Sequence, residues 1–220
     1  MDTNDIRRAL AHVLWLGGGP DAGKSTAARI LVRRYGLGFY SLDKRGQTHL
    51  ERLAAGSGAG SATYREVLDT SPVERLAALA PAAHVDWAWT FAHDRFPLLL
   101  EELRSFQGPR PLLAEGAGVL PELVAPLLTS KQQAIWLVPS ETFVQANWGR
   151  SKKRFLARQM ADPARAKRDL LTIDQLLAER IAKQARANSL RALEIDGSES
   201  PAEVAELVAE HFEPHLPAAG

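Results

Sequence analysis

The chain has 220 residues, 45% of them hydrophobic, which suits one domain with a sizeable core. Its formal net charge of +1 gives no global bias toward nucleic acid or membrane, and the absence of cysteine excludes disulfides, thiol catalysis and cysteine–metal sites. No apolar run approaches the ~18 residues that span a bilayer, and the opening MDTNDIRRAL lacks the basic-then-apolar layout of a signal peptide. A soluble cytoplasmic protein with no membrane partner is expected.

His12–Leu16 is short, apolar and bounded by glycine, so it reads as a buried strand. From Ser25 onward, STAARILVRRY carries apolar residues at helical spacing. Between them, Gly18 to Ser25 reads GGPDAGKS, a full match to G-x-x-x-x-G-K-[ST]. Such a loop turns backbone N–H groups toward phosphate oxygens, and the next helix adds its N-terminal dipole. Gly19, Pro20, Asp21, Ala22, Gly23, Lys24, Ser25 and Thr26 are therefore the expected nucleotide-binding residues. Lys24 would reach the β- and γ-phosphates, and Ser25 would coordinate Mg2+.

Four further strands are expected at Gly38–Leu42, Pro111–Ala114, Ala134–Val138 and Ala192–Ile195. Helical patterns separate them. Strand and helix thus alternate, which argues an α/β fold: a five-stranded parallel sheet with helices on both faces. Ligands of such sheets bind outside the carboxyl ends of the strands. Two intervals exceed a simple crossover. Residues 44–108 hold a flexible low-complexity stretch at Ala54–Ala62, then helical patterns at Val73–Leu79 and His84–Phe106. Ser140–Leu190 is expected to be largely helical, and the tail after Phe212 to fray.

The loop, the strand count and the positions of these insertions resemble the small-molecule kinases of the P-loop superfamily, among them nucleoside-monophosphate, shikimate, gluconate and chloramphenicol kinases. The resemblance implies one domain over 1–220, with an acceptor-binding insertion at 44–108 and a helical lid at 150–170. It implies ATP and Mg2+ as cofactors and a small-molecule acceptor as partner.

At the end of the second strand, Asp43 is the carboxylate that the resemblance assigns to orienting an acceptor hydroxyl and accepting its proton, or to holding the metal through water. A helix cap before KRGQTHLERL is the plainer alternative. Lys44 and Arg45 would then stand at the acceptor entrance. In AHVDWAWTFAHDRFPLLLEEL, Asp86, Trp89 and His93 share one helical face. Trp89 and His93 are candidate acceptor contacts, with His93 a second choice of base; the alternative puts Trp89 and Phe96 in the core. Glu115 ends the third strand, where P-loop proteins carry an acidic residue for Mg2+. It is a candidate for metal or acceptor, and Gly116 and Gly118 would let a ligand approach.

From Arg150 to Arg191 the chain has 12 of its 27 basic residues against four acidic ones. In a lid, Arg158 and Arg165 are the arginines expected on the transferring phosphate. A solvated helical face is the alternative. Nucleic acid is disfavoured, because stacking aromatics do not interleave the charges. After the last strand, Gly197 in EIDGSES stands where the relatives hold adenine; a turn with Ser200 as helix cap explains it as well. No N-K-x-D guanine signature follows the fourth strand, where WLVPSET stands. The function expected is an ATP-dependent phosphotransferase acting on a nucleotide, sugar or other hydroxyl metabolite. The alternatives are an ATPase and a regulatory nucleotide-binding switch.

Overall fold

In the computed structural model, residues 2–57, 60–106, 108 and 110–218 are described. After a short N-terminal helix, α1 (Thr3–Ala9), come β1 (Val13–Gly18), α2 (Lys24–Tyr35) and β2 (Gly38–Ser41). A helical stretch follows: α3 (Gly46–Ala55), α4 (Gly60–Asp69), α5 (Pro72–Ala78) and the long α6 (Pro81–Ser105). Next are β3 (Leu112–Glu115), α7 (Pro121–Val124), β4 (Ala134–Pro139), α8 (Glu141–Asn147) and α9 (Lys153–Ala157). The chain closes with α10 (Pro163–Ala187), β5 (Arg191–Ile195) and α11 (Pro201–Phe212).

All strand pairs are parallel and the order is β2-β3-β1-β4-β5. The apolar strands alternate between two cores, because successive side chains point to opposite faces. Val13 and Trp15 of β1 join Leu112, Trp136 and the inner sides of α6, α7 and α10. Leu14 and Leu16 join Leu113, Leu137, α2 and α11. Helices therefore cover both faces, as the alternation predicts. The connection after β1 leaves toward β2, and that after β4 leaves toward β5. Their loops diverge, which opens a crevice at the carboxyl ends of β1 and β4.

The expected flexible stretch at Ala54–Ala62 is mostly helix. α3 runs to Ala55 and α4 begins at Gly60, while Gly58 and Ala59 lie outside the described residues. Leu50, Ala54 and Tyr64 form a small core of their own, which stabilises this helical pair despite its glycine-rich joint. The tail after Phe212 continues as a 3-10 turn over Glu213–His215, and its last two residues lie outside the described ones. Among the described residues no helix is long and apolar enough to cross a membrane.

Candidate active site

The glycine loop joins β1 to α2. Gly18 has φ +133°, and a Cβ there would sit 2.0 Å from the Leu137 carbonyl oxygen, so no side chain fits. Gly23 is left-handed (φ +83°) and caps α2 with no side-chain hydrogen bond. Among the described residues, the N–H groups from Asp21 through Ser25 find no backbone acceptor. Donors without a backbone partner at a helix N-terminus suit an anion. Lys24 is buried and donates to the Gly19 carbonyl at 2.7 Å. Burial pushes its ammonium pKa down, while Asp43, Glu115 and Asp21 pull it back up. These three carboxylates therefore converge electrostatically on the loop lysine.

Glu115 is 1% exposed at the end of β3, level with Leu16 of β1 and Ser41 of β2. It accepts from the Ser25 hydroxyl at 3.1 Å and from the Ser41 hydroxyl at 2.6 Å. Metal and loop candidates are thus in contact. Among the described residues no group of three or more His, Asp or Glu side chains surrounds a cation site. A Ser25–Glu115 pair fits Mg2+, which takes one or two protein oxygens and completes its shell with phosphate and water.

Asp43 is no helix cap: the 3-10 turn it opens (Asp43–Arg45) and the following α3 have no side-chain cap. Its carboxylate instead accepts the Ala117 N–H at 3.0 Å, across the β2 and β3 ends. A cavity of about 160 Å³ opens beside it. Pro20 of the loop, Asp43, Ala117 and Gly118 bound one side; Trp87, Trp89, Phe91 and Arg95 of α6 bound the other.

Several expected acceptor contacts are placed otherwise. Trp89 is 5% exposed, with its Nε1–H bonded to Glu122 at 2.7 Å, so it is core with one edge on the cavity. His93 also reaches Glu122, at 2.7 Å, and does not line the cavity. Arg45 turns away to Glu102 at 2.9 Å, Lys44 is exposed, and neither lines the cavity. Glu115 does not line it either, which leaves its place beside Ser25. Gly116 and Gly118 admit the protein itself: a Cβ at Gly116 would meet Asp43 Oδ1 at 3.0 Å, and one at Gly118 would meet Arg95 Nη2 at 3.2 Å.

The basic segment reaches the loop through a different residue. Arg158 and Arg165 are exposed; Arg165 pairs with Asp169 at 3.5 Å, and neither hydrogen-bonds the loop. Lys153 stands 3.4 Å from Asp21 and donates to Asp174 at 2.6 Å. Ser151 donates to the same Asp21 carboxylate at 2.7 Å. Asp174 is 2% exposed. Burial pushes its pKa up, and Lys153 opposes that shift. Asp174 lies on the buried stripe of α10 with Ala166, Leu170, Ala178 and Ala185, so a carboxylate in an apolar pattern was the readable signal.

On the other side of the loop a cavity of about 770 Å³ is bounded by Gly23, Thr26, Phe143, Asn147, Arg150 and Gly197. The expected base-binding glycine is thus brought to the cavity beside the glycine loop, packed near Phe143. Ser200 also caps α11 in a full capping box. A groove of about 710 Å³ between β4, α8 and α10 is bounded by no loop residue. Comparison with protein-family models and with curated proteins finds no match for this chain.

Proposed function

We propose that this chain is an ATP-dependent phosphotransferase that moves the γ-phosphoryl group of Mg-ATP to a hydroxyl of a small molecule. The observation that carries the reading is the cavity bounded at once by Pro20 of the phosphate loop and by the Asp43 carboxylate. A switch needs no second pocket there; a transferase does.

The loop N–H groups and Lys24 would hold the β- and γ-phosphates, and the 770 Å³ cavity would take the nucleoside. Ser25 and Glu115 would hold Mg2+, which when bound neutralises charge on the β- and γ-oxygens. Asp43 would orient the acceptor hydroxyl and receive its proton as the new O–P bond forms. The bond from phosphorus to the β–γ bridging oxygen breaks, and ADP leaves. Lys153 would place positive charge at the loop and help keep water out. The central position of β1, its glycine loop and the helical segments after β2 and β4 support the finer likeness to nucleoside-monophosphate-type kinases.

The test is ADP release in the presence of a library of hydroxyl compounds, with hydrolysis measured without acceptor. Stimulation by one chemical class, with phosphate recovered on that compound, is expected. ADP formation that no acceptor accelerates would point to an ATPase instead.

A further inference from the structure

Burying a guanidinium without a counter-ion is costly, and α6 does this at Arg95. The residue is 5% exposed. One Nη2–H bonds the Leu42 carbonyl at 3.1 Å, while Nε has no acceptor. Among the described residues no carboxylate pairs with it. Asp43 is near enough to influence its charge, but its Oδ1 is held by the Ala117 N–H. The Phe91 ring lies 5.0 Å from the guanidinium carbon, and Trp87 stacks on Phe91 at 5.3 Å and 13°. Gly118 passes with no side chain to block Nη2. Arg95, Trp87, Phe91 and Asp43 all line the 160 Å³ cavity beside the phosphate loop.

We infer that the acceptor is a compact hydroxy acid, whose carboxylate or phosphate is bound by Arg95 against the Trp87–Phe91 wall and whose hydroxyl faces Asp43. This rests on the transferase reading for the hydroxyl; the anion site stands on Arg95 and the cavity alone. A guanidinium stays protonated at any physiological pH and offers a planar fork to an oxyanion. An anion at Nε would supply the missing partner, which a neutral polyol cannot do with charge. The cavity holds the liquid volume of roughly five waters at about 30 Å³ each, which suits a compact acid.

The test is calorimetric titration of the whole chain, with and without a non-hydrolysable ATP analogue. The probes are matched: glycerate and glycerol 3-phosphate against glycerol, and mandelate against phenylethanediol. At least one acid should bind tenfold or more tightly than its neutral counterpart. Preference for glycerate and mandelate would assign the carboxylate; preference for glycerol 3-phosphate would assign the phosphate. Arg95→Met should erase the preference. Arg95→Lys, which keeps the charge and guards against misfolding of the first variant, should reduce it, since lysine lacks the fork. Equal binding of acid and neutral partners, no binding of any probe, or a preference that survives both substitutions would overturn the inference. If the nucleotide fails to bind while the acids still depend on Arg95, the kinase reading falls alone. If the nucleotide binds and the acids are ignored, this inference falls alone.

Discussion

On the transferase reading, three side chains at and beside the glycine loop have separable jobs. Lys24 is buried, and the carboxylates of Asp43, Glu115 and Asp21 favour its charged form against that burial; on the transferase reading the charge meets phosphate oxygens. Lys24→Ala should weaken binding of Mg-ATP by ~1.5–3 kcal/mol, the scale of a charge-assisted hydrogen bond. Calorimetry giving unchanged affinity in a folded variant would remove the loop from nucleotide binding. Asp43 is held by Ala117 at the edge of the 160 Å³ cavity and does not line the 770 Å³ one. Asp43→Asn should therefore leave ATP affinity intact and lower turnover by ~10²–10⁴, the usual range for a positioned acid–base group. Full turnover with the true acceptor would return Asp43 to a structural role. Lys153 is tied to both Asp21 and Asp174. Lys153→Met should depress kcat more than it raises KM for ATP, because charge at this point matters most as the phosphoryl group transfers. Arg158→Ala and Arg165→Ala, both exposed, should have smaller effects; a kcat loss at Arg158 exceeding that at Lys153 would reverse the assignment.

At the scale of elements, Glu102 of α6 ties α3 and β2 to its own helix. It accepts from Tyr40 at 2.7 Å, from Arg45 at 2.9 Å and from His49 at 3.2 Å. Burial alone would raise its pKa, but these donors outweigh it and hold the carboxyl at about 2, below the ordinary 4.5. A depressed carboxyl pKa stabilises the fold above the unfolded value, and that contribution disappears as pH falls from about 4.5 toward 2. His49 acts in the same direction at higher pH. Burial pushes its pKa down against the pull of Glu102, so the native ring stays neutral where the unfolded one gains a proton. Stability should thus start to decline below the ordinary histidine range near 6.5 and fall further through the carboxylate range. Urea midpoints across this span should show a shallower decline for Glu102→Gln; parallel profiles would mean the network contributes nothing through titration. The sequence made the sheet and the loop legible because short continuous apolar runs bounded by turn residues and a fixed-spacing glycine motif are local signals. The α3–α4 pair was hidden, since its small core of Leu50, Ala54 and Tyr64 forms only after the helices meet. Arg95 was hidden for a related reason: Leu42 and Gly118 reach it from the ends of two different strands, and only Phe91 is its neighbour on the same helix. Lys153 was one cation among many until α10 supplied Asp174.

At the scale of the molecule, the basic segment is joined to the body in two ways. Lys153 and Ser151 reach the loop, and α9 with the first turns of α10 packs on Leu76 of α5 through Ala157, Ala166 and Leu170. That cluster is separate from both main cores, so it should open with less free energy than the sheet. Hydrogen exchange over 150–168 should be faster than over β1 or β4 without ligand, and should slow when ATP and acceptor are present. Leu76→Ala removes a buried side chain, a change that costs about 2–5 kcal/mol in a packed core. Here it should speed exchange of this segment while leaving that of β1 unaltered. Equal protection of segment and sheet in the free protein would mean a fixed helical face with no lid function.

The central placement of β1 also sets a timetable for synthesis. Val13 pairs with Leu112 and Trp15 with Ala134, so the first strand of the chain waits about a hundred residues for its neighbours. At ~5–20 residues per second, that wait is roughly 5–20 s. During it, Val13-Leu14-Trp15-Leu16 has both edges bare and both faces apolar, the composition that invites pairing with another nascent chain. The strand that carries the glycine loop therefore depends on shielding before the ribosome has finished.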